Sequence, residues 1–126
     1  INYQNDGKSE YLINGIENRI EQIVANLLDN SISFSNDGSE VIVNVSNGLE
    51  KKVIVKILDE GQGFKEKDTS KIFNRFYSNR PENFGEHSGL GLNIVKNLVE
   101  LHDGKIEASN RLDKQGALIE IKFPSL

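Results

Sequence analysis

The sequence predicts an α/β fold, a two-layer sandwich in which a mixed, mostly antiparallel sheet packs on about three helices. Three observations predict it: apolar residues recur at helical spacing in two segments, they alternate with polar residues in others, and glycine-rich turns separate the segments. A chain of 126 residues suffices for one domain with a hydrophobic core. We therefore expect residues 1–126 to form one domain, and, because the chain begins with Ile1 rather than Met, to be a piece of a longer protein.

The first helix is predicted to follow an extended N-terminal stretch, residues 1–14, that turns at Gly7-Lys8-Ser9. From Ile16 to about Phe34, apolar side chains recur at the spacing of one helical face. The residues of this face are Ile20, Ile23, Val24, Leu27 and Leu28. The polar segment 36–39 then ends the helix.

A β-hairpin is predicted next, because apolar and polar residues alternate over residues 41–46 and again over 53–57. Asn47-Gly48 is predicted to form its turn. Asp59 continues the parity of the apolar residues in the second strand. Its carboxylate is therefore predicted to point toward the apolar face of the sheet.

A second helix is predicted to begin near Gly89 and to stop at Gly104. The residues on its inward face are Leu90, Ile94, Val95, Leu98 and Leu101. Two last strands are predicted over residues 105–110 and 117–123. Alternation in the second of these strands places Ile119, Ile121 and Phe123 inward.

The composition excludes several classes of function. The net charge is −4 and no polybasic stretch is present, so we expect no nucleic-acid partner. The absence of cysteine excludes a disulfide framework, a thiol nucleophile and a Cys-ligated metal. His87 and His102 lack a metal-ligand pattern and are predicted to be structural.

Asn26 and Asn30 lie one helical turn apart at the border of the first apolar face. Their side-chain carbonyls are hard oxygen ligands, which Mg²⁺ accepts beside water and phosphate oxygens. Taken alone, two exposed helix asparagines are the commoner explanation of such a short pattern.

Asp59 ends a strand and is followed by Gly61 and Gly63. A carboxylate on an apolar face is costly unless it accepts hydrogen bonds, and the amino group of adenine is a suitable donor. An Asp that caps the following turn is the alternative. The two glycines permit close approach of the backbone to a ligand, or they form an ordinary turn.

Gly89 and Gly91 open the second predicted helix, where backbone N–H groups and the helix dipole favour phosphate. The pattern is neither a Walker loop nor a dinucleotide fingerprint. Upstream, Arg75 or Arg80 could contact a terminal phosphate. For each arginine taken separately, a solvated basic residue is the commoner explanation.

The ordered set of segments resembles the ATP-binding catalytic domain of bacterial sensor histidine kinases, in the ATPase superfamily that includes gyrase B, Hsp90 and MutL. The resemblance covers essentially the whole chain. The matching motifs are the N box Asn26–Asn30, the G1 box Asp59–Gly63, the F box Ile72–Tyr77, the G2 box Ser88–Leu92, the segment His102–Ile106 and the ending Gly116–Pro124.

This resemblance implies a Bergerat-type sandwich with a site for ATP and Mg²⁺. It implies that Asn30, with Asn26, holds Mg²⁺ and phosphate, that Asp59 bonds adenine, and that the segment between Gly63 and Gly89 folds over ATP as a lid. The ATP-binding residues that it implies are Asn26, Asn30, Phe34, Asp59, Gly61, Gly63, Phe64, Arg80, Ser88, Gly89, Leu90, Gly91 and Leu92.

Two positions depart from the family pattern. Ser33 stands where many members have Lys, and Ser78 stands where many have Arg, so Arg80 is the candidate substitute. The stretches Ser33–Ser35 and Phe76–Phe84 look most like the ChvG-type envelope-sensing kinases of alphaproteobacteria.

The function that the resemblance implies is phosphoryl transfer from Mg-ATP to a histidine outside this chain. The implied partners are the protein's own His-containing dimerisation domain and a downstream response regulator. The implied location is the cytoplasmic side of a homodimeric inner-membrane protein. Two alternatives are a superfamily serine kinase or ATPase such as an anti-sigma factor, which the F box disfavours, and a non-catalytic nucleotide-binding regulatory module.

Overall fold

The computed structural model describes residues 1–5, 7, 10–35, 37–64, 72–73 and 91–126. Within these ranges, five strands form one sheet in the order β1-β2-β3-β5-β4, and two helices pack on it and on each other. The elements are β1 Asn2–Gln4, α1 Glu17–Phe34, β2 Ile42–Gly48, β3 Lys52–Leu58, α2 Gly91–Leu101, β4 Lys105–Asn110 and β5 Ala117–Pro124. The predicted α/β class with a mixed, mostly antiparallel sheet is confirmed.

The helices agree with their predicted positions, but the inward face predicted for α2 is partly wrong, because Ile94 and Leu101 are exposed and Val95 and Val99 are the buried residues of this helix. Helix α1 occupies the predicted span, and α2 is helical from Gly91 onward, whereas Gly89 and Leu90 lie outside the described residues. In place of a third helix, the described part of the chain holds a short 3₁₀ turn at Ile72 and Phe73. Both residues of this turn are buried in the core.

The sheet is antiparallel from β2 through β3 and β5 to β4, and only β1 runs parallel to its neighbour β2 among the described strands. The extended N-terminal stretch joins the sheet at two separate places. Residues of β1 pair with β2, whereas Ile13 forms a single bridge with Ser125 beyond β5. The predicted turn at Gly7 includes Lys8 and Ser9, which lie outside the described residues.

The predicted position of the hairpin turn is wrong. Asn47 and Gly48 are still strand residues, paired with Val53 and Lys52. The turn is formed by residues 49–51, in which Glu50 and Lys51 adopt left-handed φ values of 59° and 56°. Gly48 is suited to its strand position because a Cβ there would lie 3.0 Å from the Ile54 Cγ1 atom.

The core lies between the helices and one face of the sheet. The predicted alternation is confirmed, since Ile119, Ile121 and Phe123 are buried. The other buried apolar residues of the cluster are Ile23, Leu27, Val41, Val43, Ile57, Ile72, Phe73, Val95, Val99 and Ala108. Burial of these apolar side chains is the main source of stability. Asp59 directly follows β3, the strand that contributes Ile57 to this core.

The C-terminal end of α2 has the predicted position but a different geometry. Asp103, with φ of 59°, takes the left-handed conformation that ends the helix. The Gly104 N–H donates to the Val99 carbonyl at 3.0 Å, which closes the last turn. Glycine is required at 104 for packing, because a Cβ there would lie 2.9 Å from the Lys122 carbonyl oxygen.

His102 has the structural role that was predicted for it. Its Nε2 accepts a hydrogen bond from the Ile16 N–H at 3.1 Å, so Nδ1 carries the proton that is donated to the Leu98 carbonyl at 2.8 Å. The buried imidazole thereby joins the end of α2 to the start of α1. His87 lies outside the described residues.

Candidate functional site

Asp59 is a buried carboxylate with one oxygen fully engaged and one available. Its side chain is at the end of β3, and the residue is only 4% exposed. Oδ1 accepts hydrogen bonds from the Gly61 N–H at 2.9 Å and the Ala117 N–H at 3.1 Å. Oδ2 accepts none from the described part of the chain. The turn-capping role weighed from the sequence is therefore real, and it leaves a second oxygen free for a ligand.

Burial raises the pKa of the Asp59 carboxyl above its ordinary value. The two backbone N–H donors and the positive charge of Arg111 act in the opposite direction and lower that pKa. An ionised carboxylate in such a place gains from one more donor, because the residue is buried and its Oδ2 accepts no hydrogen bond from the described residues. The exocyclic amino group of a nucleobase supplies a donor of this kind.

The two glycines after Asp59 permit close approach to the protein's own chain. A Cβ at Gly61 would lie 2.6 Å from the Phe34 carbonyl oxygen, and a Cβ at Gly63 would lie 2.5 Å from Asn110 Oδ1. Gly63 also has a left-handed φ of 77°. Glycine therefore lets the Asp59–Phe64 loop lie against both the end of α1 and the end of β4.

The contact between Gly61 and Phe34 brings the end of α1 to the Asp59 loop. Asn30 and Asn26, one and two turns before that end, are half-buried rather than fully exposed. Ser33, the departure from the family pattern, donates its hydroxyl to the Asn30 carbonyl at 2.9 Å. Its side chain is therefore bonded to its own helix.

The start of α2 contains Gly91 and Leu92, the two residues of the predicted G2 box that the structure describes. Gly91 is exposed, and Leu92 and Phe64 pack against the core while remaining partly accessible. The Asn93 side-chain amide donates to the Phe73 carbonyl at 3.2 Å and ties the 3₁₀ turn to this helix.

Four predicted site residues cannot be placed. Arg80, Ser88, Gly89 and Leu90 lie outside the described residues, as does most of the predicted lid.

Two residues of the site, Asn110 and Arg111, were missed from the sequence, and Gly116 was noted only as the first residue of a family motif. Asn110 bonds the backbone of Phe64, Arg111 donates to the Asp59 carbonyl oxygen at 3.1 Å, and Gly116 packs directly on that carbonyl. These contacts join residues about 50 positions apart, so no local pattern reveals them. The one available signal in the sequence was the polar pair Asn110-Arg111 at the end of a predicted strand, shortly before Gly116.

A cavity of about 360 Å³ lies elsewhere, between α1, the N-terminal stretch and the strands β1, β2, β3 and β5. It is lined by apolar side chains and by Tyr3 and Tyr11. Its lining includes no charged group that could hold a phosphate.

The described residues include no group of three or more His, Cys, Asp or Glu side chains that could hold a metal ion. No helix among them is long and apolar enough to cross a membrane.

Comparison with known proteins places this geometry in a family. Residues 15–126 match the family described as Histidine kinase-, DNA gyrase B-, and HSP90-like ATPase. The chain is 40% identical over 119 residues to the Sensor protein ChvG of Agrobacterium fabrum, covering 92% of this chain and 20% of that protein. It is 34% identical over 125 residues to the ChvG of Rhizobium meliloti, covering 98% of this chain and 22% of that protein. The chain thus spans about a fifth of the length of these relatives.

Solved structures agree with this assignment. The mycobacterial sensor histidine kinase MprB superposes with a TM-score of 0.84 at 26% identity, over 98% of this chain and 79% of that chain. The catalytic domain of the histidine kinase ThkA superposes with a TM-score of 0.80 at 26% identity, over 98% of this chain and 76% of that chain. The predicted resemblance is confirmed. The chain belongs to the family of histidine kinase-, DNA gyrase B- and HSP90-like ATPases, and this membership implies that it binds ATP.

Proposed function

We propose that this chain binds Mg-ATP and donates the γ-phosphoryl group to a histidine on a separate dimerisation domain, as part of a two-component sensor kinase. The observation that carries the proposal is the buried Asp59 carboxylate, whose Oδ2 has no partner among the described residues. Family membership and the sensor-kinase names of the relatives support the same function.

Adenine recognition falls to Asp59. Its Oδ1 is held by two backbone N–H groups, so the carboxylate cannot rotate away without losing both bonds. Oδ2 then accepts a hydrogen bond from the 6-amino group of adenine. A charge-assisted bond in a desolvated pocket discriminates strongly against a base that offers no donor at that position.

Residues on the two helices would bind the phosphates and Mg²⁺. The half-buried amides of Asn26 and Asn30 fit a hard cation, because they offer neutral oxygen ligands at the end of α1 that touches the Asp59 loop. When bound, Mg²⁺ neutralises phosphate charge. Gly91 at the start of α2, together with Ser88, Gly89 and Leu90 that precede it in the sequence, would direct backbone N–H groups at phosphate oxygens.

Arg80 would add a second positive charge at the terminal phosphate. Phe34, Phe64 and Leu92 would supply the apolar walls around the nucleotide.

The reaction needs little covalent chemistry from this chain. The acceptor imidazole nitrogen forms a bond to the γ-phosphorus, the bond from that phosphorus to the bridging oxygen breaks, and ADP leaves, while the imidazole gives up its proton to a neighbouring base on the acceptor domain. The protein positions the nucleotide and stabilises developing charge. The imidazole belongs to the His-containing dimerisation domain, and a response regulator receives the phosphoryl group next. The full-length protein would be a homodimer anchored in the inner membrane, with this domain in the cytoplasm.

The proposal is tested by incubating the chain with γ-labelled ATP, first alone and then with the acceptor-histidine domain of the same protein. We expect no label on the chain alone, and label on the acceptor domain when both are present. Transfer should be slow because separate parts lose the effective concentration that a linker provides. Label on this chain alone would favour a serine kinase, and ATP binding without any transfer would favour a regulatory module.

A further inference from the structure

Asn110, the last residue of β4, holds the backbone of Phe64 by two hydrogen bonds. The Phe64 N–H donates to Asn110 Oδ1 at 2.6 Å, and the Asn110 Nδ2 donates to the Phe64 carbonyl at 3.1 Å. A side-chain amide offers one acceptor and one donor side by side, so it can pair with a backbone as a neighbouring strand does. Asn110 thus extends the pairing of the sheet to the loop residue that follows Gly63.

Arg111, the next residue, holds the other end of the same loop. Its Nη1 donates to the Asp59 carbonyl oxygen at 3.1 Å, and its side chain is only 4% exposed. The guanidinium is itself oriented by Asp113, which accepts from Nε at 3.0 Å and from Nη2 at 2.7 Å. A bidentate pair of this kind restricts the planar fork to one orientation.

Backbone contacts from the same turn complete the arrangement. The Asp59 N–H donates to the Ala117 carbonyl at 3.0 Å, and the Arg111 N–H donates to the Gly116 carbonyl at 2.9 Å. Gly116 has a φ of 151°, and any Cβ there would run into the Asp59 carbonyl oxygen. The turn between β4 and β5 is therefore built to lie directly against Asp59.

We propose that Asn110 and Arg111 are positioning residues for base recognition, which hold the two ends of the Asp59–Phe64 loop and thereby aim the Asp59 carboxylate at the 6-amino group of adenine. This inference rests on the proposed function of Asp59. Neither residue needs to touch the nucleotide. Arg111 has a second effect, because its positive charge lowers the pKa of Asp59 and favours the ionised form that accepts a hydrogen bond.

Lys114 provides a matched control on the same turn. It forms an ion pair with Glu60 at 2.9 Å, so it also links the turn to the Asp59 loop. Both side chains are partly exposed, and such surface pairs contribute little. If any contact between turn and loop sufficed, Lys114→Ala would behave like Arg111→Ala.

The experiment compares ADP with inosine diphosphate, which carries a carbonyl in place of the 6-amino group. Affinities are measured by calorimetry for the unsubstituted chain and for the Asn110→Ala, Arg111→Ala and Lys114→Ala variants. We expect the unsubstituted chain and Lys114→Ala to prefer ADP. The other two variants should lose about tenfold in ADP affinity and much less in inosine diphosphate affinity.

The outcomes separate the inference from the function on which it rests. If the unsubstituted chain does not prefer ADP, the role of Asp59 in base recognition fails. If it prefers ADP and the two variants keep that preference while both nucleotides weaken equally, the positioning role is overturned and a general structural role remains.

A double substitution guards against a variant that merely unfolds. In an Asp59→Asn background, Arg111→Ala should cause no further loss of ADP affinity, because contacts that act through one group are not additive. Arg111→Lys keeps the positive charge but lacks the planar guanidinium with its several N–H donors. Compared with Arg111→Ala, it should therefore restore only part of the preference for ADP. Full additivity in the double variant would contradict the inference, and circular dichroism checks that each variant is folded.

Discussion

Asp59→Asn separates nucleotide recognition from folding. Asparagine keeps the Oδ1 acceptor, so the hydrogen bonds from Gly61 and Ala117 at 2.9 and 3.1 Å can persist. The second oxygen becomes an NH₂ group, which faces the adenine amino group with a donor instead of an acceptor. The charge is also lost. The substitution therefore acts mainly at Oδ2, which accepts no hydrogen bond from the described residues.

The expected cost to binding follows from the type of bond removed. Loss of a hydrogen bond to a charged group costs about 1.5–3 kcal/mol, which corresponds to roughly a 10- to 150-fold weaker affinity for ADP. Although the substitution weakens ADP binding, it should not lower the free energy of unfolding. Burial raises the pKa of Asp59 above 3.8, so the folded state loses stability as the pH rises through that raised value. At neutral pH an asparagine avoids this loss, and the variant should be at least as stable.

The assay pairs calorimetric titration with ADP and thermal unfolding at neutral pH. Glu107→Gln, which neutralises an exposed carboxylate on β4, is the matched control and should change neither property. Equal ADP affinity of Asp59→Asn and the unsubstituted chain would refute base recognition by Asp59. A large fall in thermal midpoint would instead show that the carboxylate is needed for the fold.

Three further predictions concern other residues of the site. Asn30→Ala should weaken Mg²⁺-dependent ATP binding by about tenfold or more and leave the thermal midpoint of unfolding nearly unchanged. If the unsubstituted chain binds ATP equally well with and without Mg²⁺, the role of Asn30 as a metal ligand is contradicted. Gly63→Ala should destabilise the fold by about 2 kcal/mol or more, because it adds a steric clash to the left-handed strain. Gly38→Ala, with φ of 80° and no atom within 4 Å of the new Cβ, should cost only about 1 kcal/mol in denaturant unfolding. Arg111 lowers the pKa of Asp113 from 3.8 to about 2. The ion pair between these residues therefore contributes to the stability of the fold above pH 3.8, and this contribution is lost as the pH falls toward 2. An NMR titration of Arg111→Ala should find the pKa of Asp113 at its ordinary value.

Much of the fold could be predicted from the sequence because local periodicity reports burial. The apolar stripe of α1 and the alternation in β5 gave correct elements and correct inward faces. Parity alone placed Asp59 on the buried face of the sheet. The hairpin turn was misplaced because Asn47-Gly48 has turn chemistry, whereas the register of seven residue pairs continues through Gly48 and moves the turn to residues 49–51.

The support of the site could not be predicted, because it depends on contacts between distant segments. Asn110 and Phe64 are 46 residues apart, and Arg111 and Asp59 are 52 apart. Neither pair belongs to a local motif, and a side chain that bonds backbone atoms leaves no complementary residue in the sequence. Asp59 itself was predictable, since both its type and its parity are local properties. The orientation of its carboxylate depends on the rest of the chain.

The chemical stability of the transferred phosphate distinguishes transfer to histidine from transfer to serine. The chain is incubated with γ-labelled ATP and the acceptor-histidine domain. One sample of the labelled product is then treated with acid and a second sample with base. Phosphohistidine is a phosphoramidate, so we expect label that is lost in acid, kept in base and located on the acceptor domain. Label that survives acid, or that is found on this chain without the acceptor domain, would contradict phosphoryl transfer to histidine.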